Sequence, residues 1–119
     1  MTPHQMLVHL AVTHEAVLGR ASFDMPVRSS NRVIKAFVLQ LPVRWVRNLN
    51  FGANPAGVAL DPVAFAVDRR RAAETLSELG SAKPSSFSTS HPILGTLSQS
   101  EWHRWAFLHT DHHLRQFGL

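Results

Sequence analysis

Histidine is the residue type through which this chain can do chemistry. Eight of the 119 residues are histidines, and cysteine is absent. Without cysteine there is no disulfide, no thiolate zinc site, no iron–sulfur cluster and no cysteine nucleophile. Imidazole nitrogens remain, and they bind divalent metals and exchange protons near neutral pH. The spacing of the histidines therefore decides which chemistry the chain can support.

The most informative spacing lies near the C-terminus. His109 and His113 are four residues apart, so on a helix they share one face, with about 5–6 Å between their Cβ atoms. Both imidazoles can then reach one divalent ion. His109 and His112 form a second candidate pair, but the first pair is preferred because it places Trp102 and Gln116 near the same stripe. The pattern alone fits a metal site or a polar stripe of hydrogen-bonded histidines.

A third ligand has to come from another helix, and His9 is the best candidate. It lies between Leu7 and Leu10 in an apolar segment, where an unpartnered imidazole is costly to bury. The competing interpretation is a core histidine that is hydrogen-bonded to a carbonyl. Helix geometry turns His4 and His14 roughly 140° away from His9, so we expect these two to be solvated.

Four helices are predicted to position these side chains. Capping boxes at Thr2 to Gln5 and at Ser98 to Glu101 begin the first and last helices. No segment alternates apolar and polar residues in the manner of a strand. The predicted fold class is therefore all-α, a single-domain helical bundle over residues 1–119 with at least one long crossover. The predicted helices span residues 3–19, 31–41, 61–79 and 98–117, and Gly19, Gly80 and Gly118 are expected to close three of them.

The two middle helices carry apolar stripes that we expect to face inward. Pro42 is expected to end or kink the second helix near Leu41. Residues 43–47 continue it by at most one further turn, and residues 48–57 are predicted to form a loop. The expected inward residues of the second helix are Val33, Ile34, Phe37, Val38 and Leu41. Those of the third helix are Val63, Phe65, Ala66, Val67, Ala72, Ala73, Leu76 and Leu79, with residues 68–71 pointing to water.

Charge and hydropathy exclude some functions. The net charge of +4 and the Arg69–Arg71 run, with Arg44 and Arg47, give only a weak nucleic-acid signal, because charge runs are usually solvated. No apolar stretch approaches the roughly 20 residues that cross a bilayer. The N-terminus lacks the features of a secretory signal, so we expect a cytoplasmic protein with no membrane partner.

Both ends of the chain resemble a known family. Residues 91–102 read HPILGTLSQSEW, and residues 109–118 read HTDHHLRQFG. Together they resemble the C-terminal signature of an uncharacterised branch of the DinB-like metalloenzymes. Residues 2–11, TPHQMLVHLA, resemble the metal-binding helix of that family, whereas residues 20–90 match poorly.

The resemblance implies a four-helix bundle that binds a divalent ion (Zn, Ni or Fe) through His9, His109 and His113. It also implies a metal-dependent enzyme, of which the leading type is a thiol-dependent S-transferase acting on a small molecule with a low-molecular-weight thiol. The competing hypothesis is a metal-binding or dimerisation module without turnover. Gln5 and Gln116 are expected to orient ligands or substrate.

Trp102 and Phe117 are expected to line an apolar pocket, although aromatic residues at helical spacing more often pack in the hydrophobic core. No general base is evident from the sequence, because Glu101 serves its cap, Glu15 lies about 120° around the helix from His9, and Asp111 points outward.

One departure from the family affects the expected assembly. DinB-like proteins have a helix before the one that carries the first histidine, whereas here His9 follows only eight residues. Either the start is truncated or misassigned, or residues 31–41 or a second subunit fill the gap. The expected fold is thus a bundle that lacks or replaces its first helix. Without that helix, an apolar groove of the bundle is left open. Because the predicted second helix is too short to cover the whole groove, we expect a homodimer.

Overall fold

Helices make up most of the residues that the computed structural model describes, which are residues 1–23, 32–40, 45 and 61–119. The predicted all-α fold class is confirmed. The helices of these described ranges are α1 (Pro3–Val17), α2 (Arg32–Gln40), α3 (Pro62–Ser81) and α4 (Gln99–Gln116).

A short irregular segment joins α3 to α4. It contains a single 3-10 turn over Pro84–Ser86 and a two-residue antiparallel pairing of β1 (Ser90–His91) with β2 (Gly95–Thr96). Ser90 pairs with Thr96, and His91 pairs with Gly95. Pairings of this length leave no alternating pattern in the sequence, which is why sequence periodicity predicts no strand here.

The predicted helix starts are confirmed by their capping contacts. The Thr2 hydroxyl accepts a hydrogen bond from the Gln5 backbone N–H, and the Gln5 side chain accepts one from the Thr2 N–H at 2.7 Å. Ser98 and Glu101 form the same reciprocal pair at the start of α4. Both capping boxes satisfy backbone N–H donors that the first turn of a helix leaves without partners.

The predicted end of α3 is wrong. The helix continues through Gly80 to Ser81, and Ala82 is its C-cap. Leu79 is buried and Ala82 packs against the same apolar cluster, so tertiary contacts carry the last turn past the glycine. Gly19, by contrast, lies just beyond α1 with φ of 71°, a conformation that glycine adopts at helix ends without steric cost.

Contacts between side chains give the helix directions. α1 and α3 run in the same direction, because His4 contacts Asp68 near their starts and His14 contacts Thr75 farther along. α4 runs opposite to α1, since His14 contacts Thr110 and His9 contacts His109 and His113. α2 packs against the first half of α4 through Glu101 and Arg104.

Two apolar clusters form the core, one toward each end of the bundle. The tryptophan cluster consists of Val17, Leu18, Leu39, Leu79, Leu94, Leu97, Trp102, Trp105 and Ala106. The methionine cluster consists of Met6, Leu10, Ala11 and Ala72, with Leu7, Leu114 and Phe117 packed against it. On α4 the stretch between the two clusters carries His109, Thr110 and His113. The core is thus divided by a layer of polar side chains.

The predicted inward stripe of α3 is wrong for most of its apolar residues. Ala72 and Leu79 are buried, as predicted, and they are joined by Thr75. Val63 and Val67 are 72% and 62% exposed. The residues of the predicted stripe that face solvent are Val63, Ala66, Val67, Ala73 and Leu76.

Polar pairs between α1 and α3 explain that error. His4 Nε2 lies 2.7 Å from Asp68 Oδ2, and Arg71 donates two hydrogen bonds to the carboxylate of Glu15, at 2.8 and 2.6 Å. These pairs turn the face with Asp68 and Arg71 toward α1, so the expectation that both point to water is also wrong. Hydrophobic periodicity does not detect a helix face that is fixed by such pairs.

The predicted inward face of α2 is wrong for three of its residues. Val33, Ile34 and Phe37 are exposed, with 75% of Val33 accessible. Val38 is half-buried against the tryptophan cluster, as predicted, and Leu39 is the buried residue of this helix. The Lys35 side chain pairs with Glu101 on α4 at 2.9 Å, and this contact presents the other side of α2 to the bundle.

Some predictions lie outside the described residues. These are the expected burial of Leu41, the stop at Pro42, and, apart from Trp45, the interpretation of residues 43–57. In the parts of the chain that are described, no helix combines the length and apolar character needed to cross a membrane.

Candidate metal centre

Three imidazoles from two helices converge in the polar layer. His9 Nε2 of α1 lies 3.1 Å from His109 Nε2 of α4, and His113 Nε2 lies 3.2 Å from the same atom. One nitrogen from each of the three residues lies within 4.8 Å of the other two. His109 and His113 are buried and His9 is half-buried. We call this trio the histidine cluster.

Two short contacts at one nitrogen are difficult to explain by hydrogen bonds alone. An sp² imidazole nitrogen has one in-plane position, which holds either a proton or a lone pair. A proton there serves one of the contacts that His109 Nε2 makes, and the other stays without a proper hydrogen bond. A cation among the three nitrogens would give them a common partner. Nitrogens bound at 2.0–2.1 Å to one tetrahedral Zn²⁺ lie about 3.3–3.4 Å apart, and the two observed separations of 3.1 and 3.2 Å are close to that spacing.

The surroundings hold the cluster in the form that metals bind. Burial lowers the pKa of His113 to about 4, and the neighbouring His9 adds to the effect. Burial, followed by the proximity of His113 and His9, holds the pKa of His109 well below its usual range. Both imidazoles are therefore neutral at pH 7, and metal binding requires neutral imidazole.

The orientation of His113 is fixed by Gln116. His113 Nδ1 donates to Gln116 Oε1 at 3.0 Å, and the amide nitrogen of Gln116 lies 3.2 Å from His112 Nε2. With the proton on Nδ1, Nε2 of His113 carries the lone pair that faces the cluster. Gln116 thus makes the kind of contact expected of a ligand-orienting residue, and His112 lies on the far side of this amide from the cluster.

His109 is oriented by stacking. Its ring lies 4.7 Å from the Trp105 ring at an interplanar angle of 12°, and its buried Nδ1 has no hydrogen-bond partner among the described residues. Trp45 approaches His109 and His112 with ring separations of 6.3 and 5.9 Å. Sequence reasoning missed Trp105, although its position four residues before His109 was a usable signal.

Two of the sequence-predicted site residues, Trp102 and Phe117, lie in the apolar clusters. The Gln5 side-chain oxygen accepts from the Thr2 N–H in the capping box, and its expected role in orienting a ligand stays a prediction. Trp102 is 1% exposed in the tryptophan cluster and donates from Nε1 to the Ser88 carbonyl at 2.9 Å, so it is core. Phe117 packs against the methionine cluster at the C-terminal end of α4. The hydrophobic-core alternative therefore describes both aromatic residues.

The expectation that His4 and His14 are solvated is wrong. Both are 1% exposed. The direction that points away from His9 faces α3, because α1 is covered on two sides. His4 pairs with Asp68, and His14 contacts hydroxyls of Thr75 and Thr110, each at 3.1 Å.

His91 is a further buried histidine that sequence reasoning did not single out. Its Nδ1 accepts hydrogen bonds from the backbone N–H groups of Ile93 and Leu94, at 3.1 and 3.2 Å. Burial lowers its pKa to about 4. The residue closes the turn between β1 and β2 and faces Trp105, with 4.9 Å between the rings.

The carboxylates that sequence reasoning considered as bases are engaged in other contacts. Glu15 binds Arg71, and Asp111 binds Arg115 four residues along α4 at 2.7 Å. Glu101 accepts from the Ser98 backbone N–H and pairs with Lys35. No carboxylate is part of the histidine cluster among the described residues.

Comparisons with known proteins define the family. Neither a search of curated proteins nor one of solved structures gave a significant match to this chain. A family model described as "Protein of unknown function (DUF1569)" matches residues 4–118. That range contains the histidine cluster and all four helices except Pro3. The chain therefore belongs to the DUF1569 family.

Proposed function

We propose that His9, His109 and His113 hold one divalent ion (Zn, Ni or Fe) and that the protein is a metal-dependent enzyme. The observation that carries the proposal is the pair of short contacts at His109 Nε2, which one in-plane nitrogen site cannot satisfy with hydrogen bonds alone. Three neutral imidazoles leave coordination positions open, as in catalytic sites.

A divalent ion in such a site supplies Lewis-acid chemistry, binding a thiolate or lowering the pKa of water. The chain's own residues hold and orient the ligands: Gln116 keeps the proton of His113 on Nδ1, and Trp105 holds the His109 ring by stacking. Because the carboxylates Glu15, Glu101 and Asp111 are engaged elsewhere, the site favours a nucleophile that needs no carboxylate base.

A thiol is such a nucleophile, since its pKa of about 8.5 is low enough for direct deprotonation near neutral pH. We therefore propose a thiol-dependent S-transferase of the DinB-like type, which uses a low-molecular-weight thiol and a small electrophilic substrate. The resemblance of both chain ends to DinB-like metalloenzymes supports this class of reaction. The cluster geometry supports the metal and is independent of that resemblance.

The experiment compares three proteins purified without a nickel column: wild type, His113→Ala and the matched control His112→Ala. Elemental analysis should give about one divalent ion per chain for wild type and His112→Ala, and none for His113→Ala. Thiol consumption is then followed with a panel of electrophiles. Turnover that is lost in His113→Ala and after chelator treatment supports the enzyme. A wild type that takes up no ion contradicts the metal centre.

The second candidate function is a metal-binding or homodimerisation module without turnover. It is favoured by the exposed apolar side of α2, where Val33 and Phe37 are 75% and 57% accessible. Light scattering at micromolar concentration tests it, with Phe37→Glu as the variant. A dimer that Phe37→Glu converts to a monomer, together with bound metal and no thiol turnover, favours the module. A wild-type monomer contradicts the proposed homodimer.

A further inference from the structure

A buried chain of hydrogen bonds ties α1 to α4 beside the histidine cluster. His14, 1% exposed, lies with Nε2 3.1 Å from the Thr110 hydroxyl and with Nδ1 3.1 Å from the Thr75 hydroxyl. One imidazole therefore joins three helices, since His14 belongs to α1, Thr75 to α3 and Thr110 to α4. We call these three residues the threonine relay.

The direction of each hydrogen bond in the threonine relay follows from its α3 end. The Thr75 hydroxyl lies 2.9 and 3.1 Å from the carbonyl oxygens of Arg71 and Ala72, which only accept. Because the Thr75 hydroxyl donates its proton to these carbonyls, the Thr75 oxygen accepts a hydrogen bond from His14 Nδ1. Nε2 of the neutral imidazole is then an acceptor and receives the Thr110 proton. The relay is satisfied at every nitrogen and hydroxyl.

Thr110 directly follows one member of the histidine cluster and precedes another by three residues. A slide of α4 by one residue moves its side chains by about 1.5 Å along the axis and turns them by about 100°. Such a slide would separate the nitrogens of His9 and His109, which are 3.1 Å apart. Apolar contacts in the two core clusters tolerate small displacements better than a directional hydrogen bond does.

We propose that His14 and Thr110 are positioning residues whose hydrogen bond sets the register of α4 against α1 and so brings His109 and His113 to His9. The inference rests on the proposed metal centre, because register matters most where three ligands must meet one ion. Neither residue is part of the cluster, so both act through the helices that carry it. Partners that hydrogen-bond the ligands themselves change metal affinity by about 10–100-fold, and we expect an effect of that order when the register that brings the ligands together is lost.

The test compares Thr110→Val with Thr75→Val. Both substitutions remove one hydroxyl of the threonine relay and keep a β-branched side chain. Thr110→Val breaks the link to α4. Thr75→Val keeps it, because the Thr110 hydroxyl can donate to Nε2 or accept from it, whichever tautomer His14 adopts. Thr110→Ser is the conservative rescue, and Thr110→Ala with Thr75→Ala is a second pair should a valine variant fail to fold.

The first readout is Co²⁺ affinity of chelator-treated protein, measured by competition with a chelating dye. Thr110→Val should weaken the affinity by about 10–100-fold, Thr110→Ser should restore it, and Thr75→Val should leave it unchanged within error. Urea unfolding of the metal-free variants reports the stability that each substitution costs. Equal affinities for Thr110→Val and Thr75→Val would overturn the proposal.

A second readout separates this inference from the proposed function. Imidazole ¹⁵N NMR of the metal-free proteins reports the environments of His109 and His113 directly. Shifts of both in Thr110→Val, with little change in Thr75→Val, support the register role even if wild type binds no Co²⁺, an outcome that would overturn the metal centre itself. Unshifted signals in Thr110→Val overturn the register role.

Discussion

The buried histidines fall into two groups, and the difference lies in what their nitrogens face. His4, His14 and His91 each meet a partner built into the protein: a carboxylate, two hydroxyls and two backbone N–H groups, respectively. In the histidine cluster the Nε2 atoms meet one another. A buried imidazole with a protein partner stabilises the fold. Imidazoles that face one another lack a common partner, and the proposed cation would provide one.

The largest expected difference between the two groups is in metal binding. His113→Leu should abolish stoichiometric uptake of Zn²⁺, because two nitrogens do not replace three in holding the ion. His91→Leu should leave uptake intact, although it removes a buried histidine from the same region. Isothermal titration of chelator-treated proteins measures both. Equal loss in the two variants would show that the distinction between the groups is wrong.

For the stability of the metal-free protein, we expect the larger effect from substituting a histidine that has a protein partner, and the smaller effect from substituting a histidine of the cluster. His14→Leu removes a side chain that satisfies two hydroxyls, and we expect it to lower the free energy of unfolding by about 2 kcal/mol. His109→Leu removes a buried imidazole whose Nδ1 has no described partner, so its effect should be small or stabilising. Urea unfolding in the presence of a chelator compares them. Greater destabilisation by His109→Leu than by His14→Leu would contradict the assignment of His14 to the fold-stabilising group.

Acid should destabilise the metal-free protein through histidines of both groups. Burial lowers the pKa of His14, His91 and His113 to about 4, whereas the unfolded chain has histidine pKa values of about 6.5. The unfolded state therefore binds protons first, and stability is complete above pH 6.5 and lost as pH falls toward 4. Urea midpoints at pH 7.5, 6 and 5 test this.

His14→Leu supplies the control for that pH profile, because it removes one of the three titrating groups and should reduce the slope between pH 6.5 and 4. A midpoint that does not change between pH 7.5 and 5 would contradict the burial of neutral histidines. Bound metal should protect His113 in particular, since protons and the ion compete for the same nitrogen.

The smallest expected effect is at Asp111, which lies between histidines in sequence and points away from them. Its carboxylate pairs with Arg115 on the exposed side of α4, and exposed ion pairs contribute little. Asp111→Asn should leave the Zn²⁺ affinity unchanged. A clear loss of affinity would mean that a carboxylate takes part in binding the ion.

Local sequence signals predicted the helices and the pair His109 and His113, whereas His9 was assigned to the same site from its apolar position and the resemblance to DinB-like proteins. The capping boxes at Thr2 and Ser98 depend on residues three apart, so they are visible without tertiary structure. The spacing of His109 and His113 fixes a common helix face in the same way. The ion itself stays a prediction.

Predictions that required knowledge of which faces are covered were less successful. Helix α1 has partners on two sides, so assigning it one buried face left His4 and His14 in solvent. On α3 the polar residues Asp68 and Arg71 turn toward α1, and the apolar Val63 and Val67 turn outward, because specific ion pairs outweigh the hydrophobic pattern there. Pairing of this kind depends on residues far apart in sequence, such as His4 with Asp68.

X-ray absorption at the zinc edge of the reconstituted protein tests the proposed three-histidine metal centre. We expect about one zinc per chain, bound by three imidazole nitrogens at about 2.0–2.1 Å with the remaining position open to solvent or a thiol. His113→Ala should lose the ion, and His112→Ala should keep the same spectrum. A shell of oxygens alone, or substoichiometric zinc in wild type, would contradict the three-histidine centre.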